Sequence, residues 1–185
     1  MCKKGRLVLF SGPSGVGKDT LLEILYKKLP ELKHSVSVTT REKRSTEIEG
    51  RDYYFIGVDR FHEMLENGEV LEYNKYGTHY YATPKKPIDN WLKSGSDVIL
   101  KIDVNGTENV KKIYKKRCIS IFILPPSIEE LKNRLKSRGT ESEEDFNSRM
   151  QIAIDEIERS SEYDYRVVND DLDKAAEEII AILNK

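Results

Sequence analysis

A chain of 185 residues with 38% hydrophobic side chains fits one domain built on one sizeable core. Its 31 Lys and Arg against 32 Asp and Glu leave a net charge of −1, which excludes the global positive field that draws proteins onto nucleic acid or anionic membranes. The longest apolar runs, Leu7 to Phe10 and Ile119 to Leu124, are far shorter than the ~20 residues of a membrane helix, and the N-terminus has no signal-peptide core, so a cytoplasmic protein is expected. Any anion must then be bound by local geometry. Cys2 and Cys118 form no metal or redox spacing and read as thiols, Cys118 as a packing residue.

In chain order, Arg6 to Ser11 reads as a buried strand. The glycine-rich turn from Gly12 to Gly17 leads into a helix with Leu21, Leu22, Leu25 and Leu29 inward, closed by Pro30. Between Ser35 and Tyr81 the character changes to short alternating stretches, Asp52 to Ile56 and Val70 to Tyr76, with many tyrosines, and the segment reads as a small β-rich insertion. Thr83 followed by Pro84 predicts an N-cap with proline at the first helical position, and Gly95 a helix stop. Buried strands are expected at Asp97 to Asp103, Cys118 to Leu124 and Arg166 to Val168. Helices are expected from about Glu108 to Lys116, from Ile128 to Arg138 behind a Ser127/Glu130 capping box, and from about Asp173 to Leu183 with Ala176, Ile179, Ile180 and Leu183 on one face. Strands alternating with helices predict an α/β fold with a parallel sheet and helices on both faces.

Gly12-Pro13-Ser14-Gly15-Val16-Gly17-Lys18 matches the first seven positions of a P-loop, in which backbone N–H groups converge on phosphate oxygens at a helix N-terminus and the lysine bridges the β- and γ-phosphates. The eighth position departs: Asp19 stands where a Ser or Thr hydroxyl normally reaches Mg²⁺, with Thr20 next in line. Asp19 and Thr20 are accordingly the candidate metal residues. Asp103 ends an apolar strand, the place of a Walker-B-like acid. Lys101 sits two residues earlier on the same strand face, roughly 7 Å away between Cα atoms, where it could pair with Asp103 or take over a cationic role. His34, His62 and His79 have no metal spacing.

From here the chain resembles the guanylate kinase family through almost its whole length. The blocks that carry the likeness are SGPSGVGK, SVSVTTREKR, EGRDYYF, EVLEYNKYGTHYYATP, IDVNG, RLKSRGTESEE and VVNDDLDKA. The resemblance implies a P-loop core (about 1–33, 84–133 and 161–185), a GMP-binding insertion (about 34–83) and a helical lid (about 134–160) in one domain. It also implies Mg²⁺-dependent transfer of the γ-phosphoryl group of ATP to GMP, with dGMP left open. The ATP side would comprise Gly12 to Thr20 and Asn169, the last near adenine. On the GMP side, Arg41 and Arg44 would fork around the phosphate, Tyr53 and Tyr81 would donate to it, and Glu72, Ser37 and Thr83 would read the base, with Asp103 grouped beside them. Glu72 can accept from both N1–H and the N2 amino group of guanine, donors that adenine lacks. Lys18, Arg134, Arg138 and Arg149 would be catalytic, the three arginines entering as the lid closes. The family's acid at position 101 and its glycine at position 82 are here Lys101 and Ala82. A P-loop kinase for another acceptor and a non-enzymatic protein-binding module are the rival functions. Monomer and small homo-oligomer remain equally open.

Overall fold

The structure is a computed structural model and describes residues 5–136 and 143–185, so Arg138 lies outside the described residues. The first elements are β1 (Leu7–Ser11), α1 (Lys18–Lys28), β2 (Lys33–His34), β3 (Val38–Thr39) and β4 (Tyr54–Phe55). Then come α2 (Val58–Glu66), β5 (Val70–Tyr76), β6 (His79–Pro84), α3 (Lys85–Lys93) and β7 (Val98–Lys101). The chain continues through α4 (Val104–Tyr114), β8 (Cys118–Leu124), α5 (Ile128–Lys136), α6 (Glu143–Glu158), β9 (Tyr165–Val168) and α7 (Leu172–Leu183). A five-stranded sheet has the order β2-β7-β1-β8-β9, with β2–β7 and β8–β9 pairing in parallel. A four-stranded sheet has the order β4-β3-β6-β5, with β6 antiparallel to both of its neighbours. No described helix is long and apolar enough to cross a membrane.

The described residues form two compact units. One comprises residues up to 7, Leu32–Leu100 and Glu108–Cys118; the other comprises Val8–Glu31, Lys101–Thr107 and residues from Ile119 onward. In the first, the small sheet packs one face against α2. Val38, Phe61, Met64 and Ala82 are buried there, with Ile56, Leu65, Val70 and Tyr80 against them, and the Phe61 and Tyr80 rings stack at 4.3 Å. In the second, every residue of β1 is buried and α1 packs on α7. Phe122 meets Tyr163 edge-on at 5.0 Å, beside Val104.

Several boundaries differ from expectation for local reasons. The insertion contains α2, outside the β-rich expectation, although Val58, Phe61 and Leu65 stand at helical spacing. Thr83 and Pro84 precede a helix as expected, but one residue later, with Pro84 and not Thr83 as its N-cap. They close β6 in register with Glu72 and Val70, Pro84 keeps an extended ψ of 129°, and α3 begins at Lys85. Gly95 does end α3: its N–H donates to Leu92 O and that of Ser96 to Trp91 O, the paired bonds of a Schellman stop. The strand expected to reach Asp103 stops at Lys101, because Asp103 caps α4 instead; its Oδ1 accepts from Gly106 N at 2.7 Å and its carbonyl from Thr107 N at 2.9 Å. The Asn105-Gly106 pair therefore lies inside a helix that starts four residues before the expected Glu108. Half of the Ser127 capping box forms, with Glu130 N donating to Ser127 Oγ at 3.1 Å, while the Glu130 carboxylate turns to Arg134. On α7, Ala176, Ile179 and Leu183 are buried as expected, Ala175 and Ile182 are buried with them, and Ile180 is only half-buried.

Strands β8 and β9 are also joined by a side chain. Asp164 Oδ2 accepts from the backbone N of Ser120 at 2.8 Å and from its hydroxyl at 2.7 Å, and Ser120 is fully buried. Asp164→Ala leaves two buried donors without their carboxylate. It should lower unfolding stability by about 2 kcal/mol, the scale for hydrogen bonds to a charged group. Urea denaturation with an unchanged m-value checks this, and a midpoint equal to wild type would contradict it.

Candidate functional site

The phosphate loop begins where β1 ends. Gly12 has φ 151°, and a Cβ there would lie 2.5 Å from Ile123 O. Gly17 has φ 98°, and a Cβ there would lie 2.5 Å from Asn169 Nδ2. Both positions therefore admit glycine alone, by conformation and by space. Gly17 is also the N-cap of α1, and no described side chain caps that end, so the first N–H groups of the helix are left for an anion. Lys18 curls over the loop it follows, its Nζ donating to Gly12 O and, at 3.0 Å, to Pro13 O.

Groups around the loop hold it in this shape. Asn169, expected near adenine, is 3% exposed and donates from Nδ2 to Val16 O at 2.7 Å, while its own N–H donates to Leu124 O. Arg134 donates from Nε to Glu130 at 3.0 Å and from Nη1 to Asn169 O at 3.3 Å. Arg149 donates from Nη2 to Ser14 Oγ at 2.6 Å. Two of the three expected lid arginines thus engage the loop or its brace, and Arg138 lies outside the described residues. Lys101 pairs with Asp19, Nζ to Oδ1 2.7 Å, with side chains 44% and 73% exposed. Thr20 follows Asp19 on the exposed side of α1.

The acceptor-side residues gather in the other unit because strand period is two. Tyr80 and Ala82 face the Phe61 core, so Tyr81 and Thr83 face away from it. Glu72 is in register with Thr83, whose hydroxyl donates to its carboxylate. Arg41 donates from Nε to the Tyr81 hydroxyl at 3.2 Å and sits over the Tyr53 ring at 5.7 Å; Tyr53 and Tyr81 meet edge-on at 5.8 Å. Ser37 accepts the Tyr54 N–H through its carbonyl, and Arg44 is exposed. Asp103 belongs to the phosphate-loop unit and is a helix cap there.

Two acids escaped sequence reasoning. Glu47 binds Arg41 through both carboxylate oxygens, at 3.1 and 2.6 Å. Its three-residue spacing from Arg44 was the available signal, but a surface charge run has the same look. Glu156 of α6 lies within the fields of Lys18 and Asp103. Burial pushes its carboxyl up to about 7, Lys18 opposing the rise and Asp103 adding to it. It follows Arg149 by seven residues and so returns to the same side of α6.

A phosphate-binding loop between a buried strand and a helix, braced by cations in an α/β fold, defines a P-loop protein. The Guanylate kinase family model matches residues 4–185. The chain is 46% identical over 181 residues to a guanylate kinase of Caldanaerobacter subterraneus subsp. tengcongensis, covering 98% of this chain and 87% of that one. It is 48% identical over 180 residues to that of Carboxydothermus hydrogenoformans, with 97% and 88% covered. The crystal structure of guanylate kinase from Anaplasma phagocytophilum superposes with a TM-score of 0.78 at 34% identity, covering 100% of this chain and 86% of that one. The chain belongs to the guanylate kinase family.

A carboxyl whose folded value is raised stabilises the fold while protonated, and that contribution is lost as pH climbs through the folded value. Glu156→Gln keeps the neutral shape at every pH. Its Tm should therefore gain on wild type as pH rises from about 5 to about 8, which thermal melts at several pH values would show. A constant difference across that window would remove Glu156 from the account.

Proposed function

We propose that the chain transfers the γ-phosphoryl group of ATP to GMP, giving ADP and GDP. The observation that carries this is the Glu72–Thr83 pair on the sheet face that also bears Tyr81 and Arg41. A carboxylate has about four lone-pair sites, so one that accepts from the Thr83 hydroxyl can also accept from the two guanine donors, N1–H and the N2 amino group. Adenine would set its N1 lone pair against that carboxylate and leave it unpaired, a loss on the order of several kcal/mol. The arginine and two tyrosines beside it suit a phosphomonoester dianion.

On the donor side, Lys18 would leave the Gly12 and Pro13 carbonyls for the β- and γ-phosphates, while the loop and α1 N–H groups take the remaining oxygens. Arg149 and Arg134 would offset charge on the transferring group, together with Arg138. Transfer of this kind needs alignment and electrostatic stabilisation more than covalent help. Exclusion of water favours attack by the acceptor's phosphate oxygen over hydrolysis.

The family uses ATP, and Mg²⁺ is its expected companion. Among the described residues no group of three or more His, Cys, Asp or Glu could hold a metal by itself. That suits Mg²⁺, which is usually bound through one or two carboxylates plus substrate phosphates. Asp19, whose Oδ1 accepts from Lys101, and Thr20 would hold it on the protein side. Bound there, the ion would neutralise charge on the β- and γ-phosphate oxygens.

A coupled ADP-release assay over GMP, AMP, CMP and UMP tests the reading. GMP should be strongly preferred, and no turnover with any of the four would leave a binding module. Lys18→Met should lower kcat about a hundred-fold or more while the fold persists, since a half-buried cation turned over the loop serves phosphate charge rather than the core. Near-normal kcat would refute the loop assignment. Glu72→Gln should raise KM for GMP, spare KM for ATP and narrow the GMP/AMP ratio, because an amide offers one acceptor where two donors arrive. Unchanged selectivity would place base reading elsewhere.

A further inference from the structure

Arg41 has five N–H donors on a planar head. Nε donates to the Tyr81 hydroxyl at 3.2 Å, Nη1 to Glu42 O at 2.6 Å and to Glu47 Oε2 at 3.1 Å, and Nη2 to Glu47 Oε1 at 2.6 Å. Glu47 therefore grips the end of the guanidinium, the edge formed by Nη1 and Nη2. The side edge, Nε with the second hydrogen of Nη2, is turned to the tyrosine hydroxyl. A fork gripped at its end can still make a paired bond, but only through its side.

Glu47 is itself held from a second direction. Its Oε2 accepts from Arg44 N at 2.8 Å, and its own N–H donates to Arg44 O at 3.1 Å. One carboxylate thus links the head of Arg41 to the backbone of Arg44, and each side chain of the ion pair is 14% exposed. The rings of Tyr53 and Phe55 lie 5.7 and 5.8 Å from the guanidinium carbon and limit its swing. The Glu47 hydrogen bond raises Arg41 above its ordinary value, and the Arg41 hydrogen bond holds Glu47 below the usual carboxylate range.

We propose that Glu47 is a positioning residue of the acceptor site: by occupying the Nη1–Nη2 edge of Arg41 and anchoring Arg44, it presents the Nε–Nη2 edge and the Tyr81 hydroxyl to the acceptor's phosphate dianion. The inference rests on the acceptor reading above and adds to it the edge of Arg41 that is used. The competing idea is a stand-in anion that the phosphate displaces. Displacement would strip Arg44 N of its partner as well as Arg41, whereas side-edge binding breaks neither link. The two ideas predict opposite signs, since losing a stand-in tightens acceptor binding and losing a positioner weakens it.

The test uses the full chain with Glu47→Gln, Glu47→Asp, Arg41→Lys and the Arg41→Lys/Glu47→Gln double variant. Steady-state kinetics are run against GMP at saturating ATP and the reverse. Glu47→Gln puts an amide donor against guanidinium donors and should raise KM for GMP about ten-fold or more, with KM for ATP within about two-fold. Glu47→Asp keeps the charge but falls a methylene short and should show a smaller rise of the same sign. Lysine has no fork to orient, so the double variant should be little worse than Arg41→Lys alone. An equal or lower KM for GMP in Glu47→Gln, or full additivity in the double variant, overturns the proposal. If Glu47→Gln loses its cooperative thermal transition, Glu47→Asp decides by the same criterion. Wild type inactive on GMP sinks the acceptor reading and the proposal together; wild type active on GMP beside a normal Glu47→Gln sinks the proposal alone.

Discussion

Asn169 donates its side-chain amide to Val16 O at 2.7 Å, and the geometry of the phosphate loop depends on that bond. A loop that binds anions must aim its N–H groups inward, which leaves its carbonyls pointing outward and in need of donors. Buried at 3% exposure, Asn169 supplies one donor, and its own backbone is tied to Leu124 O. Gly17 completes the fit, because a Cβ there would meet the same amide at 2.5 Å. Strand β9, the loop and the start of α1 are therefore one mechanical unit. Loosening Asn169 would release both the Val16 carbonyl of the loop and the backbone oxygen that receives Arg134.

The acceptor side reaches the same end with side chains in place of backbone. Its sheet is divided by strand period: Tyr80 and Ala82 pack on Phe61, which frees Tyr81 and Thr83 for chemistry on the other face. Helix α2 thus acts as the support of the site, fixing one face so that the other can hold Arg41, Glu72 and Thr83 in place. Arg41 is restrained by Glu47, Tyr81 and two rings, which reduces the rotamer freedom an arginine would otherwise lose on binding.

What could be read in advance follows from how the chemistry is distributed along the chain. The Gly12 to Lys18 loop was legible because its donors come from consecutive residues between a strand and a helix. The span of β5, Val70–Tyr76, and that of β8, Cys118–Leu124, were legible from alternation and from apolar continuity respectively. Thr83-Pro84 marked the start of α3 to within one residue but not the strand pairing of Thr83 with Glu72, eleven residues back, which no local signal carries. Asp103 misled: an acid at a strand end and an acid capping a helix have one sequence signature, and only the bond to Gly106 N separates them. Glu47 lay hidden in a run of charges whose partners no spacing rule could assign.

The Asp19–Lys101 pair shows how little of this design concerns stability. With side chains 44% and 73% exposed, an ion pair of this kind contributes about 0–1 kcal/mol to folding. Its effect lies in the local field: the carboxylate at the eighth loop position and the ammonium from β7 cancel, leaving the charge beside the phosphate loop to Lys18 and the arginines. A chain with net charge −1 has no global attraction for a polyanion, so each cation must be placed and each acid given a partner. Glu47 is bound by Arg41, Asp19 accepts from Lys101, and burial pushes the Glu156 carboxyl up to about 7. The charges of the acids near the candidate sites are thus offset in three different ways, and Asp19, paired yet 73% exposed, can still meet a cation carried by the phosphates.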